Sequence, residues 1–113
     1  VIIPGQKTSL LATELYQILE TSDVPAGYIN ILTTKQNSLN KILAEHENID
    51  GIWFFSENNN ERLKVIQSTT SNLKRSWCPQ SKNLDWSSKE EDFLEEFLYQ
   101  STQVKNIWIP YGE

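Results

Sequence analysis

Residues 52–55 read Ile52-Trp53-Phe54-Phe55, the most strand-like run in the chain. A turn candidate, Asp50-Gly51, lies immediately before this run, and a polar stretch, 56–60, follows it. Nearly continuous apolar runs of this kind are typical of strands in a sheet that is covered on both faces. The run therefore predicts a buried strand that leads through a polar loop into a helix.

Strand-like and helix-like stretches alternate on either side of this run. Further strands are predicted at residues 1–3, 28–32 and 73–77. The intervening helices are predicted from apolar residues at helical spacing: Leu11, Leu15, Ile18 and Leu19 after a Thr8 or Ser9 cap; Leu39, Ile42 and Leu43 after a Ser38 cap; and Leu63 and Ile66. Such alternation favours parallel strands joined by right-handed crossovers. We therefore predict an α/β fold, a Rossmann-like parallel sheet with flanking helices, whose half-Rossmann part spans residues 1–77.

The periodicity fades after residue 77. Residues 78–92 are rich in Pro, Ser, Asn and Lys and predict a loop. Residues 93–113 predict an amphipathic helix followed by a closing strand. The inward positions of the helix are Phe93, Leu94, Phe97 and Leu98. In the strand, Ile107 and Ile109 share one face and Trp108 takes the other. We treat residues 1–113 as a single domain, since this length leaves no room for two independent cores.

Composition excludes several classes of protein. A formal net charge of −5 argues against nucleic acid as a partner, because proteins that bind phosphate backbones concentrate Lys and Arg. No apolar run of about 18 residues predicts a membrane span, and no signal peptide is apparent. The single cysteine, Cys78, cannot form an internal disulfide and fits a reducing, cytoplasmic location. We expect the chain, which opens on Val1, to be part of a longer protein.

Five segments resemble aldehyde dehydrogenase sequences, in the same order and at nearly the same spacing. They are Val1-Ile2-Ile3-Pro4 through Thr8-Ser9-Leu10; Pro25-Ala26-Gly27-Tyr28-Ile29-Asn30-Ile31-Leu32; residues 43–52; Ser71-Asn72-Leu73-Lys74-Arg75; and Tyr99 through Gln103-Val104-Lys105-Asn106-Ile107-Trp108-Ile109. The fourth segment is identical to the family's Ser-Asn-Leu-Lys-Arg. The resemblance covers most of the chain except the loop. Trp53-Phe54-Phe55 and the ending from Trp108 further resemble the degenerate C-terminal region of family-16 aldehyde dehydrogenases.

The resemblance implies an NAD(P)-dependent aldehyde oxidoreductase as the parent family, and this chain departs from the family at the coenzyme positions. Ile3 and Gln6 stand where a Lys and a Glu hold the adenosine ribose. Ser56 and Glu57 replace a Gly-Ser turn whose backbone N–H groups, at a helix N-terminus, favour pyrophosphate. Two like charges about 4 Å apart repel by roughly 4 kcal/mol at an effective dielectric near 20, or about a thousandfold in affinity. The resemblance therefore implies a damaged NAD site.

The catalytic residues of the family have no counterpart in this sequence. The position of the general-base Glu falls on Pro79, which cannot accept a proton. The resemblance places the nucleophilic Cys in a catalytic domain for which this chain has only a short loop, so Cys78 does not occupy its position. We predict that the chain is not an enzyme and holds no cofactor, with a residual NAD-binding module around residues 56–60 as the alternative.

Other polar residues have ordinary structural interpretations that outweigh a catalytic one. His46 has no second His or Cys at ligand spacing and fits a helix end. The acidic residues near the last helix fit a solvated helix face better than an acid–base pair: Asp85, Glu90, Glu91, Asp92, Glu95 and Glu96. The four Trp residues fit packing better than stacking on nucleobases.

The closing strand carries the predicted partner surface. In the family, the corresponding strand joins an oligomerisation flap that adds to a neighbouring subunit's sheet. The candidate interface residues are Val104, Lys105, Ile107, Trp108 and Ile109. An apolar strand at a chain end needs a partner or becomes an exposed edge. We therefore predict a protein partner, either the remainder of a longer chain or a second copy, with packing inside the chain as the alternative.

Overall fold

The computed structural model describes residues 1–88 and 91–112, except for the side chains of residues 36–38 and 83. The helices within this part are α1 (Ser9–Glu20), α2 (Gln36–Glu45), α3 (Asn59–Thr69) and α4 (Glu91–Ser101), and the strands are β1 (Gly51–Trp53) and β2 (Arg75–Trp77). Short 3-10 turns occupy Thr70–Asn72 and Ser81–Asn83. This order confirms a small α/β fold. None of the described helices combines the length and the apolar character that crossing a membrane requires.

The centre of the fold is the parallel pair formed by β1 and β2. Its register places Ile52 opposite Ser76 and Trp53 opposite Trp77. The backbone N–H of Phe54 donates to the carbonyl of Trp77 at 2.9 Å, and a parallel bridge from Ser56 to Gln80 carries the pairing further. Because α3 connects two strands that run in the same direction, the predicted strand–helix–strand unit is confirmed here.

The first two predicted strands are much shorter than expected. Residues 1–3 and 28–32 meet at one parallel bridge, in which the N–H of Ile2 donates to Asn30 and the carbonyl of Ile2 accepts from Leu32. Pro4 follows immediately and has no N–H with which to continue a ladder. In the described residues this bridge is not hydrogen-bonded to the β1–β2 pair, so the continuous sheet predicted for residues 1–77 is not observed.

The buried core lies between the sheet and helices α2 and α3. It consists of Ala44, Phe54, Val65 and Cys78, with Ile52 and Ile66 packed against it. The prediction that Ile66 faces inward is confirmed. The same prediction for Leu63 is wrong, since its side chain is 48% exposed and Val65 takes the buried position. Helix α2 begins at Gln36, before the predicted Ser38 cap, whose side chain lies outside the described residues.

Lys74 connects the end of α2 to the strand β2. Its side chain is buried, and its ammonium donates to three backbone carbonyls, those of Leu43 at 2.9 Å, Ala44 at 3.0 Å and His46 at 2.7 Å. The last carbonyls of a helix have no intrahelical partner and carry partial negative charge, so a cation there is stabilising. Lys74 therefore fixes the position of α2 relative to the sheet.

Six aromatic rings attach α4 to the sheet. They come from β1 and the residues after it, from β2, from the loop and from α4: Trp53, Phe55, Trp77, Trp86, Phe93 and Phe97. Most pairs meet edge to face, the arrangement that suits the quadrupole of aromatic rings. Arg75 adds a second connection, because its guanidinium donates to the carbonyl of Tyr99 at 2.8 Å and lies 5.6 Å from the centre of that ring. Within the predicted inner face of α4, Leu94 and Leu98 are exposed instead.

The predicted closing strand has no strand partner in the described part of the chain. Residues 104–109 form no strand, and their apolar side chains are exposed: Val104 by 72%, Ile107 by 82%, Trp108 by 91% and Ile109 by 73%. Extended backbone becomes a strand only when a neighbour satisfies its N–H and C=O groups. The alternative of packing inside this chain is therefore not observed, and the segment is called the C-terminal tail below.

Candidate functional site

The residues that correspond to the family's pyrophosphate turn lie at the N-terminus of α3, where the chain leaves β1. Asn58 is the N-cap of this helix, and its side-chain oxygen accepts from the backbone N–H of Asn60 at 3.0 Å and of Glu61 at 3.4 Å. An N-cap side chain satisfies the N–H groups that an anion would otherwise bind. The helix therefore uses its own side chain where a phosphate would accept hydrogen bonds.

A carboxylate stands beside this cap. The hydroxyl of Ser56 donates to a carboxylate oxygen of Glu61 at 3.1 Å and accepts from the N–H of Asn58 at 3.1 Å. Glu61 lies in the first turn of α3, where it also interacts favourably with the helix dipole. Glu57 is exposed in the bend that precedes the cap. The prediction concerned Glu57 alone, and Glu61 is a second negative group that sequence reasoning missed.

The two predicted halves of the degenerate coenzyme site do not line one cavity. Ile3 is half-buried and lines a groove that Phe54 and Phe55 also line, whereas Gln6 is exposed in the turn before α1. Neither Ser56 nor Glu57 lines that groove. The first half has the apolar Ile3, and the second half has a capped, acidic helix N-terminus.

Cys78 and Pro79, the two residues that were weighed for catalysis, are packed as structural residues. Cys78 belongs to the buried core, and its carbonyl accepts from Nε of Arg62 at 2.8 Å. Burial raises the pKa of the Cys78 thiol, an effect that the nearby Arg62 charge and a hydrogen bond from the Phe54 backbone only partly oppose. A thiol with a raised pKa holds less thiolate near neutral pH, and thiolate is the nucleophile. Pro79 follows directly and is half-buried.

We expect native Cys78 to react with a soluble thiol reagent at pH 8 at least about tenfold more slowly than a free cysteine, because burial restricts access and lowers the thiolate fraction. Reaction with a chromogenic disulfide, followed with and without urea, measures this difference. Equal rates for native and unfolded protein would contradict the assignment of Cys78 as a core residue.

His46 lies at the C-terminal end of α2, as predicted, but another residue supplies the cation there. Nδ1 of His46 accepts from the N–H of Asn48 at 3.2 Å, and its carbonyl accepts from Lys74 and from the amide of Asn72. In the sequence, Lys74 stands out only as part of the Ser71-Asn72-Leu73-Lys74-Arg75 segment. Two segments of the family resemblance, 43–52 and 71–75, thus contact each other through these bonds. No group of three His, Cys, Asp or Glu side chains in the described residues is placed to hold a metal ion.

A groove of about 1260 Å³ runs beside β1, and we call it the edge groove. Val1, Ile3 and residues 51–55 are among the residues that line it. Residues 100–103 also line the groove, and they lead directly into the C-terminal tail. The predicted interface residues of the tail therefore begin next to this groove, but their side chains are exposed.

Comparison with known proteins assigns the family. No solved structure matches the chain. The sequence model of the aldehyde dehydrogenase family matches residues 1–79, the part that contains β1, β2 and the capped N-terminus of α3. This match covers well over half of the 113 residues, and it includes four of the five segments that carry the resemblance. The chain therefore belongs to the aldehyde dehydrogenase family.

Proposed function

We propose that this member of the family is a non-catalytic domain with a structural role in oligomerisation or scaffolding. The observation that carries the proposal is the N-terminus of α3, where Asn58 caps the N–H groups of Asn60 and Glu61. With Glu57 and Glu61 flanking the cap, a diphosphate would have to displace a neutral acceptor and approach two carboxylates. Both effects oppose coenzyme binding.

The proposed lack of catalytic activity is supported by the residues Cys78 and Pro79. Pro79 has no group that could serve as a general base, and Cys78 is a buried thiol whose pKa is raised. Neither residue supports nucleophilic attack on an aldehyde. An NAD-dependent oxidation of aldehydes would thus belong to other members or other parts of such a protein.

We further infer that β1, α3 and β2 form one unit of a Rossmann-like sheet. The parallel register of β1 and β2 and the parallel bridge between Ile2 and Ile31 support this arrangement. The C-terminal tail supports a protein partner, because its apolar side chains are exposed and a protein surface could cover them. A reducing, cytoplasmic location is proposed from the lone thiol of Cys78.

Calorimetric titration with NAD tests the proposal. We expect no saturable binding up to about 1 mM, the concentration range in which a repulsion of several kcal/mol leaves an ordinary coenzyme site empty. Saturable binding in the low micromolar range would instead establish a residual nucleotide-binding module and overturn the non-catalytic assignment.

A variant that restores the small residues of the family's pyrophosphate turn tests whether the N-terminus of α3 is what prevents NAD binding. Ser56→Gly, Glu57→Ser and Glu61→Gly together remove both carboxylates and recreate the small residues of the family turn. We expect this variant to gain measurable NAD affinity, at least about tenfold over the wild type. The matched control, Glu95→Ser with Glu96→Gly on α4, removes the same charge elsewhere and should gain none. If the two variants behaved alike, the α3 N-terminus would not be the reason for weak binding.

A further inference from the structure

We propose that Asp50-Gly51 is a modification site, at which the folded chain converts its own backbone to an isoaspartyl linkage and so weakens the pairing of β1 with β2. The proposal goes beyond the structural role and does not depend on it. Three features carry it: the two residue types, the uncommitted state of the two reacting groups, and the weak restraint on the peptide between them.

The residue types at this position are those that the reaction needs. The side chain of an aspartate can close a succinimide ring with the backbone nitrogen of the next residue, provided that this residue leaves room. Asp50 is followed by Gly51, which has no Cβ and permits wide backbone rotation. The other aspartates, Asp23, Asp85 and Asp92, are followed by Val, Trp and Phe, whose side chains crowd the nitrogen.

The carboxylate of Asp50 is free to react. Asp50 and Gly51 are both exposed and line the edge groove, so water reaches them. Among the described residues, none forms an ion pair or a hydrogen bond with the Asp50 carboxylate. The carboxylate of Asp85, by contrast, accepts from the hydroxyl of Ser87 at 2.7 Å and from its N–H at 3.0 Å. Asp50 therefore differs from Asp85 in its freedom to move as well as in the residue that follows it.

The nitrogen of Gly51 is free as well. The carbonyl of Asp50 and the N–H of Phe54 bond to β2. Because backbone groups alternate along a strand, the N–H of Gly51 points to the open edge of β1. No group in residues 1–88 and 91–112 accepts from it. Water can take the proton of this exposed amide, which makes the nitrogen a nucleophile.

A single backbone hydrogen bond restrains the peptide between the two residues in the described part of the chain. It runs from the N–H of Arg75 to the carbonyl of Asp50 at 3.1 Å. This peptide must rotate before the nitrogen of Gly51 can reach Cγ of Asp50, so the bond must open. It lies at the very start of a strand of three residues, and strand ends open locally at little cost in free energy. The reactive geometry is thus accessible without global unfolding.

The reaction needs no reagent other than water. The nitrogen of Gly51 bonds to Cγ of Asp50, and the hydroxyl of the carboxyl group leaves with the amide proton as water. Water then opens the succinimide at one of its two carbonyls. Attack at Cγ restores aspartate. Attack at the backbone carbonyl breaks its bond to nitrogen, so the chain continues through Cβ and Cγ and the old carbonyl becomes a free carboxylate.

The product disturbs the start of β1. The main chain gains one carbon, so the carbonyl next to Gly51 moves by about one bond length, roughly 1.5 Å, which is nearly half of the 3.3 Å rise per strand residue. A shift of this size takes the carbonyl outside hydrogen-bonding distance of the Arg75 N–H. Because β1 leads directly into Phe54 of the buried core, we expect the modified chain to be less stable.

The test ages the full 113-residue chain at neutral pH in water enriched in heavy oxygen, and maps its peptides by mass spectrometry. Opening of the succinimide leaves heavy oxygen in the peptide that contains Asp50, and an isoaspartyl methyltransferase with a labelled methyl donor marks the isoaspartyl product. We expect both labels in that peptide and neither in the peptides of Asp23 and Asp85. Aged protein should also unfold at a lower urea concentration than fresh protein.

Two variants make the test specific. Gly51→Val should slow labelling at least about tenfold, which corresponds to a barrier higher by about 1.4 kcal/mol. This variant suits a strand, and the added Cβ meets only the carbonyl oxygen of Arg75, at an ordinary contact distance of 3.5 Å. Asp50→Glu keeps the charge but would need a larger ring, so it should abolish labelling, and it carries the test alone if circular dichroism shows that Gly51→Val is unfolded.

The outcomes separate the site from its effect. Labelling of Asp50 only in urea, or equal labelling of the wild type and the folded variants, would overturn the proposed site. Labelling of the folded chain with no fall in the urea midpoint would overturn the proposed effect on β1.

Discussion

Replacing Lys74 with methionine is expected to lower the free energy of unfolding by about 3 kcal/mol, the largest effect of any single substitution proposed for this chain. Methionine keeps the length of the side chain but removes the ammonium that donates to the carbonyls of Leu43, Ala44 and His46. Hydrogen bonds from charged donors contribute about 1.5–3 kcal/mol each, and three that share one donor do not add fully. The end of α2 would then carry buried carbonyls without a donor.

Urea unfolding followed by far-UV circular dichroism measures this loss. Lys64→Met on α3 is the matched control, since Lys64 is exposed and should change stability by less than about 0.5 kcal/mol. If Lys74→Met lost less than about 1 kcal/mol, or no more than Lys64→Met, water would be replacing the ammonium and the bonds would not stabilise the fold.

Truncating Phe97 to alanine is expected to cost about 2–3 kcal/mol and to release α4 from the sheet. Its ring contacts five others and lies 4.8 Å from Trp77 and 5.0 Å from Phe93, centre to centre. The cost is smaller than for a fully buried Phe because the side chain is half-buried. The remaining connections would be the contact between Phe93 and Trp86, with ring centres 6.5 Å apart, and the bond from Arg75 to Tyr99, which is exposed to water.

Near-UV circular dichroism reports the packing of the rings, and urea unfolding reports the change in stability. Leu98→Ala serves as the control, because Leu98 lies on the same helix but is 65% exposed. Its removal should leave the near-UV signal intact. A Phe97→Ala protein that retained the wild-type near-UV spectrum would show that the other rings hold α4 without it.

Local patterns predicted the elements that have strong periodicity and clear ends. The apolar run after Asp50 became β1, and helix α3 followed it as expected. Residues 1–3 failed as a full strand because Pro4 ends the ladder after one bridge. The strand predicted for the C-terminal tail did not form for a different reason. Alternating apolar and polar residues show that a segment can pair, but it becomes a strand only when a neighbouring strand is present.

The sequence predicted that a polar loop after β1 leads into a helix, but not the hydrogen bonds at the N-terminus of that helix. Ser56 and Glu57, the positions counted along the family turn, lie just before the N-cap of α3. The hydrogen bonds of Asn58 and Glu61 depend on the geometry of the cap, which the sequence alone does not give. An Asn before a helix is a recognisable capping signal, so Asn58 could have been found from the sequence. Lys74 could not, because its partners lie 28 to 31 residues away.

On the proposed function, the cap at α3 also determines how the stability of the domain responds to coenzyme. A dehydrogenase whose helix N-terminus waits for coenzyme gains stability as coenzyme accumulates, because any ligand that binds only the native state shifts unfolding by mass action. In this chain the side chain of Asn58 accepts from the N–H groups at the helix N-terminus, and it is part of every folded molecule. We therefore expect the melting temperature of this domain to be the same in dinucleotide-rich and dinucleotide-depleted solutions.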